Sequence, residues 1–161
     1  MYTANGVEVL QYSSEVSNYI KLPAASADTW QDGAFIYWDT SANTIKKWAP
    51  ADATENQADQ NVIIGISSGG KKNGDIESVV CLKATILITK TGTVTLGKDC
   101  VITYDTTTLK YGVQEESAWN TTYEPDVTLS GNFAVYAANA AEGDGRVEVF
   151  IDGAARVASL T

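Results

Sequence analysis

Two carboxylates stand out as groups that could do chemistry. Asp39 closes the run Phe35-Ile36-Tyr37-Trp38-Asp39-Thr40, and Asp105 closes Val101-Ile102-Thr103-Tyr104-Asp105-Thr106. Two aspartates converging in one cleft, in unequal environments, would be a glycosidase pair. An aspartate placed just after a strand has a commoner use: its side chain accepts backbone N–H groups and starts a turn. The placement of both residues predicts the turn. Acids also gather in loops, as Asp52, Glu55 and Asp59 and as Glu142 and Asp144. Calcium would need a ladder of the D-x-D-x-D-G kind, which is missing, so these read as solvated loops.

Other chemistries lack their residues. The chain has no histidine, which removes the commonest general base near neutral pH and the commonest transition-metal ligand. Ser-His and Cys-His nucleophile systems go with it. Two cysteines, Cys81 and Cys100, cannot close a structural zinc site. They read as buried thiols, or as a bridge between adjacent strands. No glycine-rich phosphate cradle stands between a strand and a helix. The expectation is a non-enzymatic protein with no cofactor and no metal.

Charge narrows the partners. A net charge of -9 repels phosphate backbones and anionic membrane surfaces, so neither nucleic acid nor membrane is expected as a partner. The longest apolar run, Val79 to Ile88, is interrupted by Lys83 and is too short for a spanning helix. Residues Met1 to Gly6 carry neither a basic nor an apolar leader region, so use without secretory export is expected.

The elements that must position these residues follow period two. Thr85–Thr89, Gly92–Leu96, Val101–Tyr104 and Arg146–Ile151 are rich in β-branched and aromatic residues. Gly69-Gly70, Asn73-Gly74-Asp75 and Glu142-Gly143-Asp144-Gly145 punctuate them as turns. Helix signals are thin: Ala24–Asp28 suits one turn, and Ala137–Ala141 reads as strand end and loop. Short strands with frequent turns predict an all-β barrel or sandwich.

An internal repeat organises the chain. The two aspartate-closed runs match each other, as do Ile45-Lys46 and Leu109-Lys110. Asn61–Ile66 matches Asn132–Ala137, and Gly74–Val80 matches Gly145–Ile151, in the same order. The prediction is two tandem, similar small β units, 18–83 and 84–153. They are preceded by an N-terminal arm or edge strand, 1–17, and followed by a tail, 154–161. Variable loops, Ala49 to Gln60 and Gly112 to Ser130, separate the strands within each unit.

Trp30, Trp38, Trp48, Trp119 and Tyr37 could stack on sugars, although core and hairpin packing is the commoner role of such rings. Trp119, in the long second loop, is the candidate contact anchor. Tyr2, Val7, Val9 and Leu10 are the candidate contacts of the N-terminal segment.

Ile20-Lys21-Leu22-Pro23, followed by Gly33-Ala34-Phe35-Ile36-Tyr37-Trp38-Asp39, resembles the opening block of a phage protein family. Asn61–Ile66 and the Gly74-Asp75 turn resemble its later strands. That family, long catalogued as a domain of unknown function and labelled RecA/RadA recombinase-like, consists of capsid decoration (cement) proteins. The resemblance covers about residues 16–83 and recurs more weakly in 84–153. Family members typically carry a single unit with an alanine- and glycine-rich strand pair, whereas this chain carries two. The resemblance implies a virion protein made in the host cytoplasm and bound to the capsid surface. Its implied partners are the major capsid protein and, in a trimer, copies of itself. The competing expectation is a carbohydrate-binding or adhesion module of a head fibre or tail.

Overall fold

The local logic of the fold is plainest in two hairpins. Strands β3 (Phe35–Asp39) and β4 (Thr44–Lys47) pair antiparallel with Asp39 opposite Thr44. Strands β8 (Cys100–Asp105) and β9 (Lys110–Glu115) pair the same way, with Asp105 opposite Lys110. In each turn the aspartate Oδ1 accepts two backbone N–H groups. Ser41 and Ala42 donate to Asp39 at 2.9 and 3.2 Å, and Thr107 and Thr108 donate to Asp105 at 2.8 and 3.2 Å. Each turn closes through a residue with positive φ four positions on, Asn43 at 53° and Leu109 at 59°. Asparagine visits that region readily, whereas leucine does so at a cost of about 1–2 kcal/mol.

This geometry shifts the repeat at one place. The sequence match of Ile45-Lys46 with Leu109-Lys110 puts Leu109 in a strand. The structure makes Leu109 the turn residue and the counterpart of Asn43, so that Tyr111, paired with Tyr104, is the equivalent of Ile45, paired with Trp38. Apolarity marks leucine as a strand residue, but the turn's backbone decides.

The computed structural model describes residues 5–50, 63–115, 134–138 and 145–154. The architecture is all-β. The remaining strands are β1 (Val7–Tyr12), β2 (Tyr19–Pro23), β5 (Ile63–Ser67), β6 (Glu77–Cys81), β7 (Lys83–Lys90), β10 (Ala134–Ala137) and β11 (Arg146–Asp152). A short 3-10 turn, Val16–Asn18, links β1 to β2. The expected strand Gly92–Leu96 is instead irregular. Gly92 and Gly97 adopt φ of 71° and 78° at its two ends, and only Val94 is buried.

The strands form two sheets. One runs β2-β6-β5-β3-β4, and the other runs β10-β11-β7-β9-β8 with β1 added on β7. Both follow the same circuit of pairings. In the first, β2 pairs β6, β6 pairs β5, β5 pairs β3 and β3 pairs β4, all antiparallel. A parallel bridge from Ala24 to Ile45 closes the ring. In the second, β7 pairs β11, β11 pairs β10, a bridge joins Tyr136 to Asp99 beside β8, and β8 pairs β9, again all antiparallel. A parallel pairing of β9 with β7, Gly112 opposite Thr89, closes that ring.

One continuous hydrophobic cluster runs through both rings, from Phe35, Ile36, Ile64 and Val80 to Ile86, Ile102, Val147 and Ile151. Alternation along β11 turns Val147, Val149 and Ile151 inward, whereas β5 is buried on both faces, and tight packing leaves little room for extra atoms. Gly65 in β5 lies against β6, where an added Cβ would run into the Cys81 carbonyl oxygen and crowd Val80. Gly65→Ala is expected to cost about 2 kcal/mol and to lower the melting temperature by about 5 °C. Calorimetric unfolding checks this.

Candidate functional site

The two aspartates are engaged in their own turns. Beyond its backbone bonds, Asp39 accepts the Lys46 ammonium at 2.8 Å, which holds its carboxyl below the usual range. Asp105 is likewise held low by its backbone donors Thr107 and Thr108. Each carboxylate is thus a stable anion that anchors a hairpin, and neither is poised to accept a proton near neutral pH.

Cys81 and Cys100 are both free and buried. Their thiols donate to separate carbonyl oxygens, of Lys83 at 3.1 Å and of Lys98 at 3.4 Å. Among the described residues no cluster of three or more cysteine, aspartate or glutamate side chains could hold a metal. The acidic loops at 52–59 and 142–144 lie outside the described residues, as do Trp119 and Tyr2.

The other candidate contacts lie on β1. Residues 7–12 take the edge-strand form, paired antiparallel along β7 from Ile88 to Ala84. Val7 is wholly buried, Val9 is half-buried and packs against the core, and Leu10 is exposed. The exposure of Leu10 has a local cause: the register shifts between Val9 and Gln11, leaving Leu10 as the extra residue of a bulge. A bulge on an edge strand also hinders further strand addition there. At its end, β1 is tied to the first sheet. The Tyr12 hydroxyl donates to Asp32 Oδ1 at 2.6 Å and lies 3.2 Å from the Ser67 carbonyl oxygen.

The rings of Trp30 and Trp48 are buried, and those of Trp38 and Tyr37 are half-buried. Trp30 donates its indole N–H to Ser67 Oγ at 3.1 Å. Trp48 and Phe35 receive the ring of Tyr111 from the second sheet, with centroids 6.3 and 4.9 Å apart. The tryptophans whose surroundings are described therefore serve packing.

The side chain that sequence reasoning missed is Lys71. It is buried, and its ammonium lies 2.6 Å from the Asp28 carbonyl oxygen, 3.2 Å from that of Lys72 and 3.3 Å from that of Ser26. The Trp30 ring lies on another side, 5.8 Å from Nζ to its centroid. Backbone bonds in both directions between Trp30 and Lys71 hold this arrangement. Nothing in the string Gly69-Gly70-Lys71-Lys72 separates the buried lysine from its exposed neighbour.

A cleft of about 480 Å³ lies where the two rings meet, lined by Asn5, Trp30, Gln31, Lys47, Thr108 and Leu109. Leu109 stands exposed on its rim in the unfavourable backbone conformation noted above. Burial lowers the Lys47 pKa, and its ammonium lies 5.9 Å from the Tyr104 ring centroid.

Two tyrosines give the fold a pH signature. Burial, with Asp32 adding to it, pushes the Tyr12 phenol well above its ordinary value; burial does the same for Tyr111. A phenol raised in the folded state stays protonated while its unfolded counterpart ionises near pH 10, so its stabilisation is lost as pH rises past that point. Stability is expected to fall above about pH 10. Tyr12→Phe and Tyr111→Phe should each flatten that limb when urea unfolding is measured against pH.

Comparison with protein-family models, with curated proteins and with solved structures returns no match. The architecture defines the class: an all-β protein of two sheets sharing one core.

Proposed function

We propose that this protein is a structural virion component that binds the outside of an assembled capsid and stabilises it. Two tandem β units built to one plan would give each molecule two similar faces, which suits attachment to a repeating lattice. The observation that carries the reading is the circuit of strand pairings made twice over one shared core. The resemblance of Ile20–Asp39 to the decoration family supports it, as does the absence of histidine from the chain.

A cement protein works by linkage. Binding the assembled shell and not its separated subunits stabilises the shell by mass action. Weak contacts repeated over a lattice add through effective concentration. The partner in this reading is the major capsid protein, and self-association into a trimer would match local three-fold axes.

The packing role of Trp30 and Trp48 favours this reading over a sugar-binding adhesion module, which would present rings in an open groove. Co-sedimentation with shells assembled from the major capsid protein of the same genome tests the proposal. Saturable pelleting is expected, with a raised temperature of shell disruption. Failure to pellet, together with binding on a glycan array, would replace the capsid reading with the adhesion reading.

A further inference from the structure

The two rings differ at one edge. In the second, β7 has β11 along one side, and its other side is shared. β9 pairs only at Thr89 and Lys90, and β1 fills the stretch from Ala84 to Ile88. The counterpart of β7 in the first ring is β2, which has β6 along one side and meets β4 only at the bridge Ala24–Ile45. No described strand occupies the stretch that corresponds to the β1 position, Tyr19 to Leu22.

The backbone there is oriented for pairing. The Ala24 N–H donates to the Ile76 carbonyl oxygen, in register with the β6 pairing. Backbone direction alternates along a strand, so Ile20 and Leu22 also point toward β6. Lys21 N–H and the carbonyl oxygens of Lys21 and Tyr19 point the other way, where they have no partner among the described residues.

We infer that this edge of β2 is an acceptor for an extended segment of a partner protein, added antiparallel as β1 is added to β7. The chemistry of the segment follows from what flanks the slot. Ile20 and Leu22 are half-buried and pack against the core, so the segment needs apolar residues at alternate positions. Lys21 lies on the opposite face with a loose, exposed pairing to Glu77 at 3.7 Å, and an acidic residue between the apolar ones would meet it. β1 already has this pattern: Val7 and Val9 turn toward the core, while Glu8 pairs outward with Arg146 at 3.4 Å. The inference follows from strand pairing alone and does not need the virion reading.

The probe is the capped peptide Gly-Val-Glu-Val-Gln-Tyr, which copies β1 without its bulged leucine. Titrated into the full chain labelled with ¹⁵N, it is expected to shift the amides of Tyr19–Leu22 saturably and to slow exchange of the Lys21 amide. Lys21→Pro removes the outward donor and no bond to β6, so it should weaken binding at least tenfold. A peptide N-methylated at both valines should fail to bind the unmodified protein, which keeps the test decisive if the proline variant does not fold. Three results would overturn the inference: no saturable shift, equal binding of the methylated peptide, or shifts confined to β7.

Discussion

Lys71→Met is expected to destabilise the protein by about 3–4 kcal/mol, through the loss of a buried charge-assisted network. Three carbonyl oxygens, of Ser26, Asp28 and Lys72, lie within 3.3 Å of one ammonium that has three N–H groups to give. Methionine fills most of the volume and offers no donor. The Asp28 carbonyl oxygen would lose its 2.6 Å donor, while those of Ser26 and Lys72 would keep only their backbone donors, Gly74 and Asp75, so three charge-assisted bonds go at about 1 kcal/mol or more each. The loss reaches beyond the site. The same loop holds Trp30 against Ser67, and Gly74 N–H against the Ser26 carbonyl oxygen at 2.8 Å. A melting temperature lower by about 10 °C is expected. Lys72→Met, at an exposed position next door, should change it by a degree or two. Differential scanning calorimetry of the two variants checks both expectations, and equal effects would remove the special role given to Lys71.

Tyr111→Ala is expected to cost about 4 kcal/mol and to loosen the two sheets from each other. The ring is 1 % exposed and sits among Phe35, Trp48 and Tyr104. Its hydroxyl donates to the Trp48 carbonyl oxygen at 2.6 Å, across the boundary between the two rings of strands. Tyr111→Phe keeps the ring and loses that bond, so about 1–2 kcal/mol is expected. Amide hydrogen exchange separates the effects. In Tyr111→Ala the amides of β3, β4, β8 and β9 should all lose protection, whereas in Tyr111→Phe the loss should centre on Trp48 and Tyr111. Uniform loss of protection across all strands in Tyr111→Phe would refute this division.

The positions of Asp39 and Asp105 made the hairpins legible, because a carboxylate after a strand and a short polar loop define their own turn. Period two made β7 and β11 legible for the same local reason. Gly92–Leu96 misled, since alternation was present but Gly92 and Gly97 turn the backbone at its ends. Leu109 misled too: an apolar residue in a left-handed turn position has no sequence signature.

The sequence by itself determined that the chain is all-β and that Asp39 and Asp105 start turns, because each of these depends on residues close in the chain. Tertiary structure decided what distant segments share: that β1 lies along β7, that Lys71 and not Lys72 is enclosed by carbonyls, and that Tyr111 joins Phe35 and Trp48. Those choices turn on which backbone groups and cavities remain once the strands have paired, and neighbouring residues carry no record of that.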